Sequence, residues 1–252
     1  MRRFGKVVCG IIFFSIASIF TVQGGGLTGI GIEELSDILV EQTGVADNQL
    51  ALSKIKTVLS TLIKKQKQYK REHDFIEYLY YYTHRKLFKN YSQYPSLSKT
   101  LTSGAYDCLT ASAIYSILLN ELGVPYSVVE TNYHIYLLVY PDSDQEIMLE
   151  TTDPIYGFVD SKQAIANKKQ AYIEANNTLN PGQVDMNLSI ARRLQGKELV
   201  GLLYYNLSIK ELNNGAWQKA ASLAAKADKY YPNLRVDKLL NYINTSFRAA
   251  SL

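Results

Sequence analysis

The chain has 252 residues, 47% hydrophobic and 20% charged, which suits one large or two small globular units and excludes a disordered chain. Lys and Arg number 27 against 23 Asp and Glu, a net charge of +4. That excess is small and dispersed, and the 20 tyrosines show no repeating basic–aromatic alternation, so nucleic acid is not an expected partner.

The N-terminus carries Arg2, Arg3 and Lys6, then an apolar run from Val7 to Val22 and small residues at Gly24–Gly26. The run is short of the roughly 20 residues a membrane span needs. It has the layout of a secretory signal, so residues 1–24 are expected to be a signal peptide or, uncleaved, an N-terminal anchor. The protein is then exported, to a periplasm or a cell surface, with membrane attachment only through that segment. Cys9 lies too close to the start to be a convincing lipid-attachment site. If the segment is removed, Cys108 is the single cysteine left, which forbids an internal disulfide.

In "SKIKTVLSTLIKKQ", Ile55, Val58, Leu59, Leu62 and Ile63 recur at helical spacing with lysines opposite, which predicts an amphipathic helix whose wet side carries the Lys64–Arg71 cluster. "HDFIEYLYYYTHRKLFKNY" extends the helical character to about Tyr91. "SQYPSLSKTLTSG", with Pro95 and Gly104 as breakers, reads as a loop with one turn at most. A helix follows from about Cys108 to Leu122, stopped by Gly123 and Pro125, with Ala111, Ser112 and Ala113 allowing close packing near its start. Three strand candidates come next, "YSVVET", "HIYLLVY" and "EIMLETT", the last two separated by the turn cluster "PDSDQ". Helix followed by strands in this order predicts an α+β unit, an antiparallel meander behind the Cys108 helix.

From about Ser161 the chain is expected to be helical to its end. Residues 199–232 contain Tyr204, Leu207, Ser208, Gly215, Trp217, Ala220, Ala227 and Pro232. This spacing resembles one tetratricopeptide repeat, with Ala224 standing where the repeat prefers an aromatic. It implies an antiparallel helical hairpin joined at Asn214-Gly215 and a third helix after Pro232. One copy cannot build a solenoid, so the hairpin is expected to rest on the preceding unit. A plain helical hairpin is the alternative. The expected organisation is residues 1–24 as signal or anchor, 27–160 as the α+β unit with its N-terminal helices, and 161–252 as a helical region.

Cys108 opens its helix, where free N–H groups favour a thiolate, while the neighbouring Asp107 opposes it by charge. A nucleophilic thiol needs a base, and the chain has three histidines. His73 and His84 lie in polar helical sequence, where solvation is the default. His134 lies among apolar strand residues and needs partners for both ring nitrogens. A thiol on one side and a carboxylate on the other, Glu150 or Asp153 from the next strand, would supply them. A buried core cysteine and a satisfied core histidine are the structural alternatives. No CxxC or HxxxH companion and no Gly-rich phosphate loop accompanies these residues, so no metal or cofactor is expected.

The order Cys, His, acid, together with Gly104, Asp107-Cys108, "LGVPY", His134 and "MLETTDP", resembles the transglutaminase-like fold within the papain-like thiol enzymes, over about Gly104 to Pro154. The resemblance implies a Cys–His–acid triad of Cys108, His134 and an acid. In register that acid is Glu150, where the family usually has aspartate; Asp153 has the usual residue type but lies three positions later. It implies a thiol hydrolase or acyltransferase acting on peptide or amide bonds of a peptide or protein substrate, with a protein partner for the C-terminal helices as a further expectation. The fold also includes inactive members, so the alternative is a noncatalytic module that binds a peptide or protein through the cleft or the tetratricopeptide-like helices.

Overall fold

The computed structural model describes residues 30–42, 45–178, 191–194 and 196–250. The signal or anchor segment expected over 1–24, with Cys9, lies outside them. In chain order the elements are α1 (Ile32–Gln42), α2 (Val45–Gln66), α3 (Glu72–Leu87), β1 (Asn90–Tyr91), α4 (Leu97–Ser103), β2 (Ala105–Tyr106) and α5 (Cys108–Glu121). They continue with β3 (Tyr126–Glu130), β4 (Ile135–Val139), β5 (Ile147–Leu149), β6 (Phe158–Val159), α6 (Lys162–Thr178) and β7 (Arg192–Arg193). The last three are α7 (Glu198–Asn213), α8 (Trp217–Tyr230) and α9 (Leu234–Ala250). The fold is mixed α+β, and among the described residues no helix is long and apolar enough to cross a membrane.

The helix α5 is the axis of the molecule. Every residue from Leu109 to Leu119 is buried. A helix apolar on all sides must be wrapped on all sides. The sheet covers one flank, the N-terminal helices cover others, and α7 closes against it. The sheet has the order β6-β5-β4-β3-β7, antiparallel throughout. Val128, Ile135, Leu137, Val139, Ile147 and Leu149 belong to the main core with α5. On the other face Val129, Tyr136, Leu138, Met148 and Val159 pack with Ile165 and Tyr172 of α6. Covering both faces explains why "IYLLV" in β4 is buried without alternation.

Several expectations are corrected. The segment read as a loop contains α4, whose N-cap Ser96 accepts from the Lys99 N–H at 3.1 Å and whose terminus sits at left-handed Gly104. The helical character expected to Tyr91 stops at Leu87, where Phe88 turns extended and leads into β1, paired in parallel with β2. Ile63 of α2 is exposed rather than on the buried face. The region after Ser161 is not helical throughout, because β7 returns to the sheet edge beside β3.

α7 and α8 are joined at Asn214-Gly215, and α9 follows Pro232, as expected. The two helices of the hairpin touch closely at Gly201, where any Cβ would overlap Tyr231. Ser208 donates to the Ala220 carbonyl at 2.8 Å across the same pair. The main core runs without a break from the N-terminal helices into Leu199, Leu202, Leu203, Tyr204 and Tyr231.

Candidate active site

Cys108 is the first residue of α5 and is half-buried. Its position is set by a capping box: Asp107 accepts from the Thr110 N–H at 2.8 Å, and the Asp107 N–H donates to the Thr110 hydroxyl at 3.1 Å. Burial raises the Asp107 pKa, against the lowering effect of the hydrogen bonds it accepts from Thr110 and from the backbone of Tyr94 and Leu109. The Asp-x-x-Thr spacing was visible in the sequence and gives Asp107 a role that the adjacency argument missed. Its carboxylate is committed to the first turn of α5.

His134 lies immediately before β4 rather than inside a strand. A tight turn after β3 presents it: the Thr131 N–H donates to the His134 carbonyl at 2.8 Å, and the His134 N–H donates to the Thr131 hydroxyl at 3.0 Å. Glu150 follows the last residue of β5 and is buried. One of its oxygens is 2.7 Å from His134 Nε2, and the other accepts from the Tyr172 hydroxyl at 2.5 Å. With Nε2 taken, Nδ1 is the nitrogen left for the thiol.

Burial by itself would lower the His134 pKa. Interaction with the Cys108 sulfur and with the Glu150 carboxylate outweighs it, and the ring is pushed up to about 9. The imidazolium is therefore the favoured form at neutral pH, placed between two groups that carry or can acquire negative charge.

Asp153 is elsewhere. Its carboxylate accepts from the Ile155 and Tyr156 N–H groups at 3.1 and 2.8 Å and shapes the turn after Glu150. The buried Tyr80 hydroxyl closes that turn by donating to the Glu150 carbonyl at 2.7 Å and to the Asp153 carbonyl. Gly157 fits beneath because a Cβ there would overlap the Tyr80 hydroxyl and both carbonyls. Thr151 ties this segment to the start of α5, donating to the Cys108 carbonyl at 3.3 Å.

The other two histidines part company. His73 is exposed and lies 2.9 Å from Asp160. His84, expected in solvent, is buried among Tyr80, Phe88 and Tyr106 with Nε2 unpartnered, and burial lowers its pKa.

Cys108 and His134 line a cleft of about 320 Å³. Exposed Tyr91 and Tyr133 belong to its lining, to which α7 and α9 add Leu202, Tyr205, Asn206 and Arg235. The turn carrying His134 is fastened to these helices through Glu130, the last residue of β3. Its buried carboxylate accepts from the Tyr231 hydroxyl at 2.6 Å and from Arg235 at 2.9 Å, with Arg192 at 3.5 Å. Neither Tyr172 nor the Glu130 cluster was found by sequence reasoning, since both arise from contacts across distant elements. Among the described residues no group of three His, Cys, Asp or Glu side chains is placed to hold a metal ion. No family model, no curated protein and no solved structure matches the chain.

Proposed function

We propose that this protein is a thiol hydrolase or acyltransferase acting on peptide or amide bonds through Cys108, His134 and Glu150. One observation carries the reading: the ring beside a helix-start cysteine is held at 2.7 Å by a buried carboxylate that itself has a second partner. A general base beside a thiol needs such backing. The likeness to the transglutaminase-like fold and to a tetratricopeptide hairpin adds to the proposal and rests on the residues quoted for it.

The steps follow from the geometry. The proton of Cys108 already rests on His134 before substrate arrives, and Glu150 holds the ring and balances that imidazolium. The sulfur attacks the carbonyl carbon, and the carbonyl π electrons move to oxygen. At the start of α5 the Thr110 and Leu109 N–H groups are committed to Asp107, which leaves the Cys108 N–H as the donor for that oxyanion. The C–N bond breaks as the imidazolium protonates the leaving amine. Water, activated by the now neutral ring, cleaves the thioester and restores the thiol; an amine in place of water gives acyl transfer. Hydrolysis is the favoured outcome, because a crosslinking enzyme must also exclude water, and the cleft lining includes the exposed Tyr91 and Tyr133. The proposed location is outside the cytoplasm, from the signal-like first 24 residues.

Alkylation of Cys108 by iodoacetamide tests the reading. In the folded protein the thiol should react at pH 6–7 at a rate that an ordinary cysteine, with a pKa of about 8.5, reaches only at higher pH. A Cys108 that labels only after unfolding would overturn the catalytic reading and favour a binding module that uses the same cleft.

A further inference from the structure

The thiol chemistry leaves part of the cleft lining unused. α7 contributes Tyr205 and Asn206, and α9 contributes Arg235. Arg235 is held firmly: its guanidinium donates to Glu130 at 2.9 Å and lies over the Tyr205 ring at 5.8 Å, with the side chain only 16% exposed. A guanidinium has five N–H donors in a planar fork, and the bond to Glu130 leaves most of that fork for the cleft. Within the described residues the Tyr205 hydroxyl and the Asn206 amide make no hydrogen bond. Tyr94, next to them in the lining, has a left-handed φ of 51°. A non-glycine residue there is strained, and strain of this kind collects at ligand sites.

The charges around these donors are largely accounted for. Glu130 is shared by Arg235 and Arg192, and Arg192 also pairs with Glu198 at 2.7 Å. Asp107 is committed to the first turn of α5. His134 stands between Cys108 and Glu150. What remains unmet is hydrogen-bond donation from one fixed cation and two neutral side chains.

We propose that Tyr205, Asn206 and Arg235 form a carboxylate subsite, so that the amide substrate of this cleft carries a carboxylate near the bond attacked by Cys108. Planar, two-pronged recognition of a carboxylate is what a partly engaged arginine fork does best. The carboxylate belongs to a chain terminus or to an acidic side chain. The inference takes its substrate chemistry from the thiol reading, while the subsite itself is a matter of binding.

Two matched thiol probes test it: iodoacetylglycine, which carries a carboxylate, and the uncharged iodoacetylglycinamide. Each rate of Cys108 modification, read by mass spectrometry, is divided by that of a free thiol with the same probe. The acid should be preferred by roughly tenfold, the scale of one charge-assisted contact. Arg235→Gln should bring the preference to about one, and Arg235→Lys, which keeps the charge without the fork, should retain part of it. The α-amide of iodoacetyl-aspartate, with its carboxylate on a side chain, distinguishes the two sources by which acid reacts faster. An absent preference in the unmodified sequence, or one that survives Arg235→Gln in folded protein, overturns the subsite. If Cys108 resists every probe, the thiol reading fails, and N-acetylglycine binding to the Cys108→Ser protein, followed by NMR, decides the subsite. Saturable shifts at Asn206 and Arg235 that vanish in Arg235→Gln support it; their absence refutes it.

Discussion

The surroundings of His134 and His84 make an instructive pair. Both rings are withdrawn from water, and burial lowers the pKa of each. Around His84 burial prevails over the one opposing influence, the charge of Asp153: its neighbours are aromatic faces and edges, and Nε2 has no partner. Around His134 a sulfur and a buried carboxylate reverse it, and the ring ends near 9. Burial alone therefore makes a neutral core residue, and only specific partners turn a withdrawn ring into a poised acid–base group.

Glu150→Gln should break this contrast most severely. Without the carboxylate charge, His134 should titrate well below 9, approaching the behaviour of His84. Iodoacetamide modification of Cys108 near pH 7 should slow by roughly 100-fold, within the range of lost acid–base assistance. NMR titration of the two imidazoles would follow the cause, and alkylation rates the effect.

Tyr172→Phe should blunt the contrast. The hydroxyl donates to the buried Glu150 carboxylate at 2.5 Å, a charge-assisted bond worth about 2 kcal/mol, and its loss should appear in chemical denaturation. Burial and the Glu150 charge keep the Tyr172 hydroxyl protonated well past neutrality, so it remains a donor across that range.

The two rings should also pull stability in opposite directions with pH. His134, raised from 6.5 to about 9, stabilises the fold fully below pH 6.5 and loses that contribution as pH rises through 9. His84, lowered from 6.5, costs stability as pH falls below 6.5, because the unfolded chain takes up a proton that the aromatic cage refuses. Glu150→Gln should flatten the alkaline decline, and His84→Phe the acidic one, in stability measured across pH 4–10. His84→Phe, the smallest effect, should also gain about 1 kcal/mol near neutrality by removing the unpartnered nitrogen.

How much of this could be read in the sequence follows the range of the interactions. The start of α5 at Cys108 and the three central strands came from spacing and breakers within a few residues of one another, and the hairpin of α7 and α8 from the likeness to a tetratricopeptide repeat. The choice of Glu150 over Asp153 came from the register of the family that the chain resembles; Glu150 lies against His134, and Asp153 lies three residues on in a turn. The failures were tertiary. α4 was masked by Pro95 and Gly104, which prove to bound a helix rather than to mark a loop. β7 has only two residues, both arginine, and is a strand because β3 offers an edge. His84 sits in polar sequence yet is buried, since burial on α3 is decided by the elements that pack over it. Tyr172, Arg235 and Tyr231 reach the site from afar, and no local pattern marks them.

Glu130 has a consequence in time as well as in space. Its three partners lie 62, 101 and 105 residues further along the chain. During synthesis, β3 and the turn with His134 emerge long before Tyr231 and Arg235 exist. Until then the carboxylate has nothing to grip, and the histidine turn has no anchor on that side. Contacts this distant in sequence form late, after the entropy of closing long loops has been met. On the proposed thiol reading, Cys108 thus stays unprimed beside its own nascent chain, and readiness arrives with the last helices to fold.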